Sequence, residues 1–563
     1  MADKWTHGTA SWATQKELDE NGYCHPHGLI FGYSKEIGKK VDYEAVSYSG
    51  DSHMITVAPT RSGKGTTQII PSLMDHTGGV LCIDPKGENA IITAEARENL
   101  HGQEVAIFDP WNVAGKVLHR ETAYFNPLDM LSADSENLAD DALLIADSLI
   151  VPDRGDSHWS NEARAMVMGF VIHLVTSPKE EGQRHLGRLR EILSLHPNDF
   201  QVLVVDMAEN GVELARNAAN RTMQKSEREL SSVISTAQQN THFLESPQVK
   251  KALSKSTFDF DSLTKDDTPL SAYIVLPADR LNTHGRLLRL IVSMAITAMV
   301  RAKKKPETSA LFLLDEFAAL GKLASVEQAF GLMAGFGMQI HAIVQDLSQL
   351  QDLYDRRWQT FLGNAGVVQV FGTRDMMTAE YVSKLCGQTT VEKISKATQD
   401  KRDGGVFISG DPDYTNMNDS AFGRPLLMPE EAIRMGNNTQ VLIMPHCQPI
   451  MARKVPYYEN ARYYDVNGAP LFRRHPNNPD ASEFWFWDSE TIDRFGEMQR
   501  AKAEDKARQQ AEADAQRRAE RQLARDEALA KAGEATAKGL KMAGRFGSSL
   551  LKEARNQMRK DDE

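Results

Sequence analysis

Three observations predict an α/β protein built on a parallel sheet, with a helical segment inserted into it. Eight short apolar runs, at residues 54–57, 80–83, 105–108, 273–276, 311–314, 340–344, 367–371 and 441–444, end in polar turns and have helical stretches between them. Short runs with at most one polar residue among apolar ones suit strands covered on both faces, the condition of a parallel sheet. The rhythm fails between about residues 136 and 263, where helix formers dominate. The first run opens onto a Gly-Lys turn that leads into a helical pattern, the strand–loop–helix order of a phosphate-binding loop.

In chain order, residues 1–50 are mixed in character and are assigned as an N-terminal segment of the core. Residues 51–135 carry the first three runs and form the first part of a nucleotide-binding domain. In residues 136–263 the apolar side chains Ala163, Met166, Val167, Phe170, Val171 and Leu174 recur at helical spacing. Apart from a weak strand pattern at 202–205, this segment reads as an inserted all-α domain. Residues 264–465 carry the other five runs and form the second part of the nucleotide-binding domain. Residues 466–563 are a C-terminal extension. Its stretch 499–529 is rich in Ala, Glu, Lys, Arg, Gln and Asp, helical by propensity but without a heptad repeat. Leu540, Phe546, Leu550 and Leu551 could add a weak apolar face beyond that charged helical tail. The apolar stretches 165–175 and 290–300 are too short to span a bilayer and read as buried helices, so no transmembrane segment is expected.

Hydrophobic residues make up 41% and charged residues 25% of the 563-residue chain, a soluble globular balance. The net charge of -12 excludes a chain that is cationic throughout, but not a local basic lining in a ring. The four cysteines, at 24, 82, 386 and 447, form no Cys-x-x-Cys pair, which removes the usual zinc and redox signatures. Cys24, His25 and His27 are too crowded for a usual zinc site and read as a surface loop. Sparse thiols and a polar start without a signal peptide suit the cytoplasm.

The chemistry concentrates at three strand ends. Ala58-Pro-Thr-Arg-Ser-Gly-Lys-Gly-Thr66 follows the first run. Its backbone N–H groups and the following helix N-terminus suit phosphate oxygens, and Lys64 suits the β- and γ-phosphates as a point charge. Thr60, Arg61, Ser62, Gly63, Lys64, Gly65, Thr66 and Thr67 are therefore the expected ATP-binding residues. The loop departs from the usual pattern twice: Ala58 stands where the first glycine is expected, and Gly65 where the Mg²⁺-binding Ser or Thr is expected. Thr66 is the candidate replacement ligand. The run 311–314 ends in Asp315 and Glu316. Asp315 is the second candidate Mg²⁺ ligand, directly or through water, and Glu316 the candidate general base for the attacking water. Helix-capping acids are the plain alternative. Gln345 ends the run 340–344, where its amide could sense the γ-phosphate or the water.

These segments occur in one order with Asp84-Pro-Lys-Gly-Glu88, Phe125-Asn-Pro-Leu-Asp129, Asp315-Glu-Phe-Ala-Ala-Leu-Gly321, Val344-Gln-Asp-Leu-Ser-Gln-Leu350 and Arg424-Pro-Leu-Leu427. The set, with the opening His7-Gly-Thr-Ala-Ser-Trp-Ala13, resembles the TraG/TraD-like coupling proteins of type IV secretion and conjugation over about residues 7–465. The resemblance implies a RecA-like P-loop NTPase domain with an inserted all-α domain used for substrate recognition. It implies a homohexameric ring, cytoplasmic and peripheral at the inner membrane. It also implies an ATPase that delivers a relaxase–DNA complex or secreted effector proteins to the secretion channel, and contact with single- or double-stranded DNA that stimulates hydrolysis. Two features depart from the family pattern: most relatives begin with transmembrane helices, and some carry a trans-acting arginine where this chain reads Met333-Ala-Gly-Phe-Gly337. Arg374 and Arg424 are fallback candidates for that arginine, with surface ion pairing as the plainer role. Asp84 and Lys86 either touch nucleotide or a neighbouring subunit, or form a turn with Pro85 and Gly87.

Two other functions fit the same residues. A free-standing hexameric DNA translocase or helicase would share the core without the secretion partner. A nucleotide-gated substrate receptor that does not hydrolyse would account for Gly65.

Overall fold

In the computed structural model each of the eight apolar runs falls on a strand, passing its end by at most one residue, and the strands begin up to three residues before the runs. The structure describes residues 8–24, 28–34, 44–151, 157–332, 334–397, 416–465 and 468–475, with a few isolated positions beyond. The strands are β1 (Leu29–Ser34), β2 (Ala45–Tyr48), β3 (His53–Val57), β4 (Val80–Asp84), β5 (Glu104–Phe108), β6 (Leu270–Val275), β7 (Ala310–Leu314), β8 (Met338–Val344), β9 (Ala365–Val370), β10 (Gln388–Ala397), β11 (Asn416–Pro425), β12 (Thr439–Ile443) and β13 (Ile450–Arg453). Eleven form one sheet in the order β2-β1-β13-β12-β9-β3-β8-β7-β4-β6-β5, and β10 and β11 pair as a separate hairpin.

From β9 to β5 every pairing is parallel. From β12 to β2 every pairing is antiparallel. The run at 441–444, expected in the parallel sheet, therefore lies antiparallel to β9: the sheet is mixed. Side chains alternate between two packed faces. Ile55, Val57, Leu81, Ile83, Phe312 and Leu314 face the core shared with helix Leu281–Arg301. Met54, Val80, Cys82, Leu311 and Leu313 face Ile69 and Leu73, from the segment after the phosphate-binding loop, and Ala90 and Ile91 of helix Glu88–His101. Burial on both faces explains why these strands read as continuous apolar runs.

Between Leu138 and Thr264 the described residues hold helices and turns and no strand. The pattern at 202–205 is part of helix Pro197–Asn210. Phe200, Val204 and Met207 are buried at helical spacing there, while Val202 is 69% exposed, so packing overrides β propensity. The stretches 165–175 and 290–300 lie in helices Ser157–Thr176 and Leu281–Arg301. No helix of the described residues is long and apolar enough to cross a membrane. The chain divides into Met1–Trp487 and Asp488–Glu563. In the second unit the few described positions, among them Arg508 and Ser548, are helical. Leu540, Phe546, Leu550, Leu551, His25 and His27 lie outside the described residues.

Candidate nucleotide site

Strand register sets the site. Val57 of β3 pairs with Val344 of β8, and Leu314 of β7 pairs with Ala342. Three parallel neighbours thus release Ala58, Asp315 and Gln345 at one edge, where doubly wound sheets bind ligands. The Ala58 N–H donates to Val344 O at 2.8 Å, tying the loop to β8. The loop then turns tightly. The Ser62 N–H donates to Pro59 O at 3.1 Å, and Arg61 (φ 63°) and Gly63 (φ 91°) take left-handed backbone. Glycine adopts that conformation freely; arginine does so at a cost.

Residues Gly65–Ile69 wind as a π-helical turn into helix Ile70–Asp75. The hydroxyls of Thr66 and Thr67 both donate to Gly63 O, at 3.2 and 2.9 Å. At Gly65 a Cβ would meet nothing within 4 Å. The position where a hydroxyl was expected thus opens onto space, and the hydroxyls follow one and two residues later.

Lys64 reaches across to β7. Its Nζ lies 2.7 Å from Asp315 Oδ1 and 2.8 Å from Glu316 Oε1. Glu316 is itself left-handed (φ 60°, ψ 48°), an uncommon conformation for this residue type that strand ends at functional sites sustain. Its second oxygen, Oε2, accepts from Gln345 Nε2 at 3.1 Å, and Gln345 Oε1 accepts from Thr60 Oγ1 at 3.4 Å. One chain of contacts therefore joins Asp315, Lys64, Glu316, Gln345 and Thr60.

Burial works to lower the Lys64 pKa, but the two carboxylates outweigh it and hold the ammonium charged. Burial pushes Asp315 up, with Lys64 opposing. Burial would also raise Glu316, but Lys64 and Gln345 hold it below the ordinary carboxylate range. Glu316 is thereby kept ionised, the form a general base needs.

The donor set suits Mg²⁺ with a nucleotide. Asp315 and Thr66 offer oxygen ligands of the kind a hard cation takes, and Ser62 Oγ in the loop is buried without a hydrogen-bond partner among the described residues. The other candidates take no part in this contact chain. Arg61 is exposed. Arg374 is exposed after β9, and Arg424 pairs with Glu431 at 2.7 Å, the surface role. Asp84 accepts from the N–H groups of Ala90 and Lys86, at 2.9 and 3.3 Å, with Gly87 left-handed between them. Of its two readings, the turn accounts for these bonds. Burial lifts the Asp84 pKa to about 7.

One residue at the loop was not anticipated. Lys454, after β13, donates from Nζ to Ser62 O at 3.0 Å. It sits in no motif, and nothing local in the sequence marks it.

The family model described as type IV secretory system conjugative DNA transfer matches residues 11–480. The conjugal transfer protein TraG of Escherichia coli is 29% identical over 471 residues, covering 77% of this chain and 72% of that protein. Protein VirD4 of Agrobacterium fabrum is 28% identical over 464 residues, covering 81% and 66%. Among solved structures, the bacterial conjugative coupling protein TrwBdeltaN70 superposes with a TM-score of 0.59 at 16% identity, covering 80% of this chain and 93% of that one. TrwB in complex with ADP and Mg²⁺ gives 0.56 at 16% identity, covering 81% and 95%. At that identity the structures show the fold, a RecA-like P-loop NTPase domain with an all-α domain. The match to the family model spans most of the sequence, and the chain belongs to the type IV secretory system conjugative DNA transfer family, as a TraG/VirD4-like coupling protein.

Proposed function

We propose that this chain is a coupling ATPase: it binds ATP and Mg²⁺, recruits a relaxase–DNA complex or protein substrates, and delivers them to a type IV secretion channel. The observation that carries the reading is the contact chain Asp315–Lys64–Glu316–Gln345–Thr60 at three adjacent parallel strand ends. Similarity to TrwB, solved with ADP and Mg²⁺ and with a non-hydrolysable ATP analogue, supports the ligand.

In this reading Thr60, Arg61, Ser62, Gly63, Lys64, Gly65, Thr66 and Thr67 form the nucleotide-binding loop, and Lys64 neutralises phosphate charge. Asp315 and Thr66 hold Mg²⁺, which when bound screens phosphate charge. Glu316 takes a proton from the attacking water, and Gln345 orients that water or the γ-phosphate. The working form is a homohexamer on the cytoplasmic side of the inner membrane, held there by secretion-channel partners and stimulated by DNA. The helical segment between β5 and β6 selects cargo.

The test has two arms. Purified protein and its Lys64→Ala variant are titrated with ATP, and phosphate release is followed with and without DNA. Wild type should bind and hydrolyse, faster with DNA, and Lys64→Ala should do neither. Binding without phosphate release would favour the non-hydrolysing receptor, for which Gly65 speaks. Pull-down from the host with ATP should recover a relaxase or channel component; DNA alone would favour a free-standing translocase.

A further inference from the structure

Lys454 is a buried cation with unusual company. Its residue is 3% exposed. Its backbone N–H donates to Asn438 O at 2.9 Å, which fixes it beside β13. Its ammonium lies 4.1 Å over the Phe371 ring and donates to Ser62 O at 3.0 Å. Phe371 is in turn bound to the root of the loop, its N–H donating to Val57 O at 2.9 Å. Among the described residues Lys454 pairs with no carboxylate, and burial lowers its pKa to about 8. A buried ammonium compensated only by a carbonyl and a ring face is costly to the fold.

The atom it holds gives a reason for its presence. The Ser62–Gly63 peptide is trans, so the Ser62 carbonyl and the Gly63 N–H point in opposite directions. A cation bound to the carbonyl therefore fixes the Gly63 N–H on the opposite side of the peptide, away from Lys454. It also polarises the peptide and strengthens that N–H as a donor. Gly63 lies beside Lys64, and its left-handed backbone gives this peptide unit freedom that most residues would lack. The Ser62 hydroxyl, buried without a partner, does not fix the peptide.

We propose that Lys454 is a positioning residue of the nucleotide site: from the antiparallel side of the sheet it clamps the Ser62 carbonyl and so presents the Gly63 N–H to nucleotide phosphate. The proposal rests on the reading that this loop binds ATP. It makes the geometry of the loop depend on β13 and on Phe371, next to the parallel strand β9, as well as on β3.

The test compares wild type, Lys454→Met and Lys454→Arg on the full chain. It uses equilibrium titration of ATP, steady-state phosphate release, and thermal melting without nucleotide. Lys454→Met keeps the length and removes the charge. It should weaken ATP binding by about tenfold or more, the worth of one charge-assisted hydrogen bond. KM should rise with it, while kcat stays within about threefold because Glu316 and Gln345 are untouched. The melting temperature should be unchanged or higher, since an uncompensated buried charge has gone. Lys454→Arg, which keeps a cation, should hold ATP within about threefold of wild type. ATP affinity within about twofold of wild type in Lys454→Met would overturn the proposal. So would a lowered melting temperature accompanying the lost affinity, or equal losses in the two variants. If wild type itself binds no ATP, the underlying reading fails and takes this one with it.

Discussion

Glu316 shows how much one residue can be asked to do. Its left-handed backbone places its carboxylate so that Lys64 holds one oxygen and Gln345 the other. Glu316→Gln keeps the shape and an oxygen that can accept from Lys64, but its amide nitrogen meets Gln345 Nε2 as a second donor unless the Gln345 amide turns over, and it cannot take a proton from water. Lys64 and Asp315 remain, so ATP should bind at near wild-type affinity while phosphate release falls by about 10²–10⁴-fold, the usual size of a general-base contribution. Near-normal turnover would place the base elsewhere. The metal hydroxyl is a separate question. Because Gly65 faces open space, Gly65→Ser should fold with an unchanged melting temperature. If Thr66 is the ligand, Thr66→Val should weaken Mg²⁺-dependent ATP binding by about tenfold, and titrations at several Mg²⁺ concentrations would read it; an unaffected variant would remove Thr66 from the site. These residues were legible because each stands at the end of an apolar run, where local pattern and chemistry coincide. Lys454 was not, because its contact with Ser62 spans 392 residues and leaves no local trace.

Beneath the loop, five elements are joined by polar side chains in the middle of the sheet. Thr56 Oγ1 of β3 donates to Gln369 Oε1 of β9 at 2.6 Å. It therefore accepts from His341 Nε2 of β8 at 2.7 Å, which puts the proton on Nε2 and leaves Nδ1 without a partner. Burial holds that ring neutral, its pKa down at about 3. The Gln369 amide nitrogen lies 2.8 Å from both Gln68 Oε1, in the π-helical turn after Lys64, and Gln440 Oε1 of β12. All five side chains are essentially unexposed. Gln369→Leu would keep the volume but strand the Thr56 hydroxyl and two amide oxygens. It should cost about 2–4 kcal/mol, since each unsatisfied buried group is expensive. Urea unfolding without nucleotide would measure it, and a loss below about 0.5 kcal/mol would show that the network relaxes around the gap. The parallel strands were readable because burial on both faces makes them mostly apolar, with Thr56, His341 and Gln369 as single interruptions. β1, β2 and β13 were not: they lie in the antiparallel flank and mix Gly32, Ser34, Ser47 and Arg453 among apolar residues. The hairpin β10–β11, with Thr and Lys along β10 and Asn and Asp along β11, has no run of apolar residues.

At the level of the whole chain, the helical segment leaves and re-enters the sheet through one clasp built on Phe125-Asn-Pro-Leu-Asp129. The Phe125 N–H donates to Ala252 O and the Thr257 N–H to Tyr124 O, both at 2.9 Å, so the outgoing and returning segments lie side by side. Asn126 Nδ2 donates to Asp129 Oδ1 at 2.7 Å, and Asp129 Oδ2 accepts from Ser256 Oγ at 2.7 Å. The Phe125 ring packs on Phe258 and Phe260, with centroids 5.6 and 4.7 Å away. A motif that the sequence offers only as part of a family resemblance thus closes the neck of the helical segment. Lys64, Asp315, Glu316, Gln345 and Lys454 all lie outside that segment, on the sheet side of the neck. A graft that keeps both sides of the clasp and replaces residues 136–251 with those of a relative should therefore leave the nucleotide site intact. We expect basal ATPase within about twofold of wild type, because the catalytic contacts do not cross the junction. We expect the exported cargo to become the relative's, because the segment that meets cargo in this reading has changed. Transfer assays with both cargoes, run beside phosphate release on the same grafted protein, separate the two effects. If cargo choice instead follows an exchange of residues 466–563 while the 136–251 graft changes nothing, selection belongs to the C-terminal extension and the helical segment has another role.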